Sequence, residues 1–317
     1  EGYFINNYIC LGHTRLSIID LNKSKQPMID ENNRNVVIFN GEIYNFRELK
    51  DELKQLGYKF KTDGDTEVIL KSYNEWGIEC LKKFEGMFVF VLWDNKKNEL
   101  LIARDRIGEK PIFYHYSQNY GLIFASEIKA FLSIEKLKAK LKFDERSLNQ
   151  YLSLNYLVNN QTFFNNIHSL EPSSYIVINQ NNIENIKPKK YWYLENYFKE
   201  KTKDSYQTSI DKICELIENS TKKRFFSNVT NGIFLSGGLD SSIISYQLKN
   251  IDNKNISAHN IAFKEADFDE YEDAKAISNF LDTNIFSYNI PIANQLVNEF
   301  PYIVDAMDQP MSDTSFV

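Results

Sequence analysis

Seven consecutive residues, Ser236-Gly237-Gly238-Leu239-Asp240-Ser241-Ser242, bring together hydroxyls, backbone freedom and one carboxylate. They follow a short apolar run, Gly232-Ile233-Phe234-Leu235, and precede a helix-like stretch, Ile243-Ile244-Ser245-Tyr246-Gln247-Leu248-Lys249. A strand, a glycine-rich turn and a helix start in that order form an anion cradle. The first backbone N–H groups of a helix have no internal partner, and the helix dipole adds positive potential there. Gly237 and Gly238 permit positive φ and close approach of the backbone to a ligand. Ser236, Ser241 and Ser242 add hydroxyl donors. Asp240 repels phosphate unless a cation lies between, and a carboxylate beside phosphates is the usual arrangement for Mg²⁺. Neither G-x-x-x-x-G-K-S/T nor G-x-G-x-x-G occurs, so the nucleotide reading rests on this loop. The bland alternative is a Gly-Gly turn capped by Ser or Asp ahead of an ordinary helix.

The elements around the loop alternate. A helix is expected over 205–226, then the strand at 232–235, the loop and its helix, a strand over 256–263, a helix over 269–281, a strand over 284–290 and a helix near 293–306. Strand and helix in alternation indicate a parallel α/β sheet. In such a sheet a loop at the carboxyl end of a strand is where ligands bind.

The first two thirds read differently. Residues 11–20 alternate apolar and polar. Residues 35–39 form a β-branched run that ends in the turn-prone pair Asn40-Gly41. Residues 45–56 carry Phe46, Leu49, Leu53 and Leu56 at helical spacing, with Gly57 fitting the C-terminal cap. A second helix is expected over 65–76, ending at Gly77. Strands follow over 87–93, 99–104, 112–116 and 122–125, and the runs 175–179 and 183–186 look like a further hairpin. This is an α+β pattern with mostly sequential strands. A domain boundary falls near 190–205.

Length, composition and charge narrow the classes. The 317 residues suffice for two domains, and 43% hydrophobic with 14% aromatic residues supports sizeable cores. A net charge of −6 gives no electrostatic reason to expect nucleic acid. Cys10, Cys80 and Cys214 are odd in number and lack C-x-x-C spacing, which argues against a disulfide framework or zinc knuckle and fits a reducing, cytoplasmic setting. His13, His115, His168 and His259 are scattered, as structural histidines are. No apolar run approaches membrane-spanning length and no signal-peptide pattern is present.

The Ser236–Ser242 loop resembles the pyrophosphate loop of the N-type ATP pyrophosphatases. Upstream lie Leu11-Gly12-His13-Thr14-Arg15-Leu16-Ser17-Ile18, Phe39-Asn40-Gly41-Glu42-Ile43-Tyr44-Asn45, Asp63-Gly64-Asp65-Thr66-Glu67, Arg104-Asp105-Arg106-Ile107-Gly108-Glu109-Lys110-Pro111 and Ala125-Ser126-Glu127-Ile128-Lys129. Together these resemble the class II glutamine amidotransferase domain, and the whole chain resembles the glutamine-hydrolysing asparagine synthetases. The resemblance implies N-terminal nucleophile-type layered sheets over 1–195, followed by an α/β parallel-sheet ATP pyrophosphatase domain over 205–317.

It also implies the site. Glutamine would be held by Arg15, Leu16, Ser17, Ile18, Ile19, Asn40, Gly41, Glu42 and Asp65. Arg15 offers a planar fork for a carboxylate, and Glu42 and Asp65 offer negative charge for the ammonium. The Asn40 side-chain amide and the Gly41 N–H would hold the oxyanion, one such donor being worth roughly 100- to 1000-fold in rate. The segment 104–111 reads as structural. ATP would lie on Leu235, Ser236, Gly237, Gly238, Leu239, Asp240, Ser241, Ser242 and Ile261, with Asp240 holding Mg²⁺.

The reaction implied is amidation of aspartate through a β-aspartyl-AMP intermediate. Two acceptor alternatives keep the same half-reactions, a sugar uronate and a β-amino acid closing to a lactam. A third alternative is a non-catalytic relative that binds nucleotide or glutamine. Residues 308–313 resemble the start of an acceptor region. Expected partners are glutamine, aspartate and ATP, with a homodimer as a candidate assembly and neither nucleic acid nor membrane.

One departure concerns the nucleophile, which in the family is a cysteine at the mature N-terminus whose own α-amine acts as base. Residue 1 is Glu1, and Cys10 has no free α-amine. The family's layout puts the cysteine a few tens of residues before Glu1, and residues 1–317 by themselves are expected to release no glutamate from glutamine.

Overall fold

The computed structural model describes the chain except residues 33, 200, 227, 252–255, 263–268, 290–292 and 311–317. The chain divides into two compact units, residues 1–200 with 304–313, and residues 201–303 with 314–317.

The first unit is built on a six-stranded antiparallel sheet. Its strands are β3 (Met28–Ile29), β4 (Asn35–Ile43), β5 (Gly86–Asp94), β6 (Glu99–Arg104), β10 (Ser174–Ile178) and β11 (Lys189–Lys190). They lie in the order β11-β10-β6-β5-β4-β3. Alternation along each strand separates two faces. Val36, Val89, Val91, Trp93, Leu100, Ile102, Ile176 and Ile178 form one core with Leu11, Tyr114, Leu122 and Phe124. The last four belong to two smaller antiparallel sheets. One pairs β1 (Gly2–Ile5) with β2 (Cys10–His13); the other has the order β8-β7-β9, from β7 (Phe113–Ser117), β8 (Gly121–Ala125) and β9 (His168–Ser169).

Helices close both outsides. On the far face of the large sheet, Phe88 and Phe90 meet Phe84 with ring centroids 5.8 and 6.2 Å apart. There α1 (Phe46–Gln55) buries Phe46, Leu49 and Leu53, and α2 (Asp65–Trp76) is buried along its first nine residues. The short α3 (Cys80–Lys83) follows a 3-10 turn at Gly77–Glu79. On the outer face of the small sheet, Phe113, Ile123 and Ala125 pack with Phe131 of α4 (Lys129–Leu132) and Leu137 of α5 (Glu135–Lys138). A third helix, α6 (Glu145–Leu154), starts at Asp144, whose side chain accepts from the Arg146 N–H. The unit is thus helix, sheet, sheet, helix, the layered build expected.

Three local expectations need correction. The strand expected over 11–20 ends at His13, because the chain then wraps around the Arg15 side chain. Asn40-Gly41 is no turn: β4 runs through it, with Gly41 opposite Phe88 and Glu42 opposite Met87. Residues 183–186 are not a strand, and β11 takes the place beside β10. The asparagines there bond locally, with the Asn179 N–H donating to Asn182 Oδ1 at 2.8 Å and Asn182 Nδ2 to the Val177 carbonyl at 3.0 Å. Such side-chain bonds compete with a ladder. Ile183 and Ile186 still pack on the core between the sheets.

The segment 104–111 is structural, as expected. Asp105 is fully buried and accepts from the N–H groups of Phe88, Ile107, Gly108, Glu109 and Lys110 at 2.6–3.2 Å. Arg104 donates to the carbonyls of Lys110, Gly108 and Leu170 and to Ser169 Oγ, tying the end of β6 to β9. Asp105→Ala would remove the acceptor from the buried Phe88 N–H and from four part-buried N–H groups, and is expected to cost about 3–5 kcal/mol, since a buried donor left unpaired costs about 1–3 and the part-buried ones less. Urea unfolding checks this, and a loss below about 1 kcal/mol would contradict it.

The second unit holds a three-stranded parallel sheet in the order β12-β13-β14, from β12 (Gly232–Phe234), β13 (Ser257–Ala262) and β14 (Asn284–Asn289). Its helices are α7 (Tyr206–Phe225), α8 (Leu239–Ile251), α9 (Tyr271–Phe280) and α10 (Ala293–Met307) up to residue 303, the last turn of α10 being counted with the first unit. Leu235 and Ala258 pack against Ala274 of α9. The alternation expected from sequence is present. Phe263, Ile290 and residues 311–313 lie outside the described residues. Among the described residues no helix is long and apolar enough to cross a membrane.

Candidate functional site

In the first unit β4 supplies Asn40, Gly41 and Glu42 near its carboxyl end. Asn40 and Glu42 continue the parity of Val36 and Ile38, so they face the space between the sheets. Gly41 has φ +140°, and a Cβ there would overlap the Met87 carbonyl oxygen and lie 2.7 Å from Phe88 Cα. Only glycine lets the two strands close over this point. At Phe39 the neighbour β3 has already ended. Gln26 substitutes for it, its Oε1 accepting from the Phe39 N–H at 2.6 Å.

Asp65 opens α2, but it does not cap it; Gly64 is the cap residue. The Asp65 carboxylate instead accepts from the Ile43 N–H at 3.1 Å, joining α2 to the end of β4. It is 4% exposed. Burial pushes its carboxyl up to about 6; the Ile43 N–H and Arg15 oppose this and Glu42 adds to it. Glu42 is also raised by burial, with Lys110 pulling it back. Two carboxylates held close in a half-dry pocket form a receptor for a cation.

Arg15 is half-buried and organises its own loop. Nη1 donates to Ser17 Oγ at 3.1 Å and to the Asp20 carbonyl at 3.3 Å, and Nη2 donates to the Ile19 carbonyl at 2.5 Å. Arg15, Asn40, Gly41, Glu42 and Asp65 line a single cavity of about 1930 Å³. Leu16, Ile18 and Ile19 line it as well, though Leu16 is 87% exposed. Ser17 does not line it and acts on Arg15. Sequence reasoning missed Gln26 and Asp20, which position the strand and the loop, and His13 and Lys110, which also line the cavity. His13 is held below its usual range by burial and by the Arg15 charge. Cys10 is a free, exposed cysteine.

In the second unit β12 runs into the Ser236–Ser242 loop. Leu235 is pinned on both sides, its N–H donating to the His259 carbonyl at 2.9 Å and its carbonyl accepting from Asn260 Nδ2 at 2.9 Å. Gly237 has φ +80° and lies against Asp273 and Ala274 of α9, where a Cβ would be 2.8 Å from the Ala274 nitrogen. Ser241 and Ser242 donate to the Gly238 carbonyl at 3.2 and 2.7 Å, and Ser236 Oγ lies 3.1 Å from Ser241 Oγ. Leu239, Asp240, Ser241 and Ser242 form the first turn of α8, so the unpaired N–H groups and the dipole stand where expected.

Leu235 is buried and Ile261 is 43% exposed, so only the latter offers side-chain surface. Asp240 is exposed and also borders a 660 Å³ cavity between α7 and α8. Among the described residues no three or more His, Cys, Asp or Glu gather as a metal site. One exposed carboxylate beside an anion loop fits Mg²⁺ shared with phosphate oxygens, not an all-protein cage.

Comparison with known proteins defines the class. A family model described as a glutamine amidotransferase domain matches residues 1–192, and one described as asparagine synthase matches 212–317. The chain is thus a class II-type glutamine amidotransferase domain followed by an asparagine synthase domain. A Bacillus subtilis asparagine synthetase 1 (glutamine-hydrolyzing) is 33% identical over 321 residues, covering 100% of this chain and 48% of that protein. Asparagine synthetase 2 (glutamine-hydrolyzing) of the same organism is 36% identical over 255 residues, 78% of this chain and 33% of that protein. Amidase chry2 of Gibberella zeae is 34% identical over 243 residues, 76% of this chain and 35% of that protein. The chain belongs to the glutamine-hydrolysing asparagine synthetase family. It spans about half the length of the first of these relatives.

Proposed function

We propose that the protein carrying this chain amidates aspartate to asparagine at the expense of ATP, with ammonia taken from glutamine. The observation that carries the reading is the charge pattern of one cavity, with Arg15 set against Glu42 and Asp65 around Asn40-Gly41. That pattern complements an α-amino acid, carboxylate to guanidinium and ammonium to carboxylates. The Asn40 amide and the Gly41 N–H are the donors for the oxyanion formed when the side-chain amide is attacked. The attacking thiolate belongs to the N-terminal cysteine of the family's layout.

The second half-reaction belongs to the Ser236–Ser242 loop. There the aspartate side-chain carboxylate attacks the α-phosphorus of ATP, the α–β bridging oxygen leaves with pyrophosphate, and β-aspartyl-AMP forms. Ammonia then displaces AMP. The α8 N-terminus, the glycine backbone and the three serines would hold the phosphates, and Asp240 would hold Mg²⁺. That ion would neutralise charge on the leaving pyrophosphate. Adenine lies near Leu235 and Ile261. ATP and Mg²⁺ are the co-substrate and metal of this reading, the cytoplasm its setting and a homodimer its assembly.

The test is pyrophosphate release by the intact protein with ATP, Mg²⁺ and an ammonia source, across a panel of carboxylates. Release that depends on aspartate is the expected result. Release only with another acid, such as a sugar uronate or a β-amino acid, would transfer the reading to that acceptor. No release with any acid would leave a binding protein instead.

A further inference from the structure

We propose that Asp20 is a positioning residue for the glutamine pocket, the joint that holds the Arg15 loop on the segment carrying Asp65. This rests on the glutamine reading above. The two charged halves of that pocket come from separate elements. Arg15 lies on the loop after β2, which has no strand partner of its own beyond His13. Asp65 lies at the start of α2, tied to β4. Something must fix the distance between them, because a ligand that spans a guanidinium and a carboxylate loses affinity when either end drifts.

Asp20 makes that link with both faces of the residue. Its backbone carbonyl accepts from Arg15 Nη1 at 3.3 Å, so Arg15 is anchored to it. Its Oδ2 accepts from the Asp63 N–H at 2.8 Å, two residues before Asp65, across 43 positions of sequence. The same oxygen accepts from Ser24 Oγ at 3.2 Å, and Oδ1 accepts from the Lys23 N–H at 3.2 Å. Asp20 itself has φ +46°, a conformation that aspartate tolerates better than most residues. Gly64 completes the joint: it is buried, and a Cβ there would press into Ser24 Oγ and come within 3.4 Å of Asp20 Cβ. These bonds outweigh the modest burial and hold the Asp20 carboxyl below its usual range, so at neutral pH it accepts at both oxygens.

The experiment uses the intact protein and steady-state glutamine hydrolysis, with Arg15→Ala as the reference variant. Asp20→Ala is expected to raise the glutamine KM at least tenfold while kcat at saturating glutamine changes less than twofold. Asp20→Asn keeps one acceptor oxygen for the Asp63 N–H and is expected to restore most of the affinity, with a KM within about threefold of wild type. A merely structural role would lower the unfolding midpoint of both variants without this split between KM and kcat. Should Asp20→Ala fail to fold, Ser24→Ala, which loosens the same oxygen, is expected to raise KM twofold to fivefold. If Arg15→Ala raises KM and neither Asp20→Ala nor Ser24→Ala does, the joint is refuted and the pocket stands. If Arg15→Ala leaves KM unchanged, the glutamine reading falls and takes the joint with it.

Discussion

Asp65→Asn is expected to make the protein more stable and, at the same time, close to unable to bind glutamine. The carboxyl is 4% exposed and burial pushes it up to about 6. A folded-state value above the unfolded one means that Asp65 favours the fold only while protonated. Its contribution is complete at low pH and is lost as pH rises through about 6. At pH 7 the ionised group therefore costs the fold about 3 kcal/mol, from roughly two pKa units at 1.36 kcal/mol each. Asn removes that cost and keeps an oxygen for the Ile43 N–H. A gain of about 1–3 kcal/mol at pH 7 follows, or several degrees in the unfolding midpoint at about 2–4 °C per kcal/mol. The gain should vanish near pH 4.

Binding moves the other way. In the proposed pocket glutamine's ammonium needs the negative charge, and losing one partner of a desolvated pair costs about 2–5 kcal/mol, so the glutamine KM should rise about 100-fold. In the wild type the KM should climb as pH falls through about 6. Thermal melts at several pH values, with KM measured alongside, check both halves. An Asn variant that is less stable at pH 7, or that keeps its KM, would refute the account.

Asp65 also marks where the sequence was legible and where it was not. The spacing of Phe46, Leu49 and Leu53 fixed α1, and glycines at 57 and 77 marked the ends of α1 and α2. The strand, loop and helix around Ser236–Ser242 were equally plain, because each part carries a local signal. Asn40-Gly41 misled: the pair is the commonest hairpin signal, yet here it sits inside β4. What overrides the local preference is a partner strand 47 positions away, Phe88 opposite Gly41, a separation set by the fold and not by the turn. Gly41 still needs its positive φ, and it spends it on closing two strands instead of reversing the chain. The Asp20 joint was half visible. Asp20-x-x-Lys23-Ser24 is a local side-chain-to-backbone pattern. Its bond to Asp63 depends on how two loops meet, which no spacing encodes. Gln26, an amide standing in for a missing strand, had no sequence signal at all.

Asp240→Asn should separate the proposed metal role of the loop from its fold. Asp240 is exposed in the first turn of α8, where its charge complements the helix dipole. Such a charge is worth about 0.3–1 kcal/mol, and Asn keeps the size of the side chain, so the variant should fold with a loss below about 1 kcal/mol. Its chemistry should not survive. Without it the Ser236–Ser242 loop has no carboxylate to offer the proposed ion, and pyrophosphate release should fall at least about 1000-fold with every acceptor, the scale of losing several kcal/mol of transition-state stabilisation.

The sign of the binding change is the sharper measurement. In the presence of chelator Asp240 faces bare phosphates, and two charges about 4 Å apart in water repel by about 1 kcal/mol. Asp240→Asn should then bind ATP about fivefold more tightly than wild type. With Mg²⁺ present the carboxylate attracts the complex, and the order should reverse. Titration of ATP into both proteins, with and without Mg²⁺, reads the crossing directly. A variant that binds more weakly under both conditions would show that Asp240 shapes the loop and holds no metal.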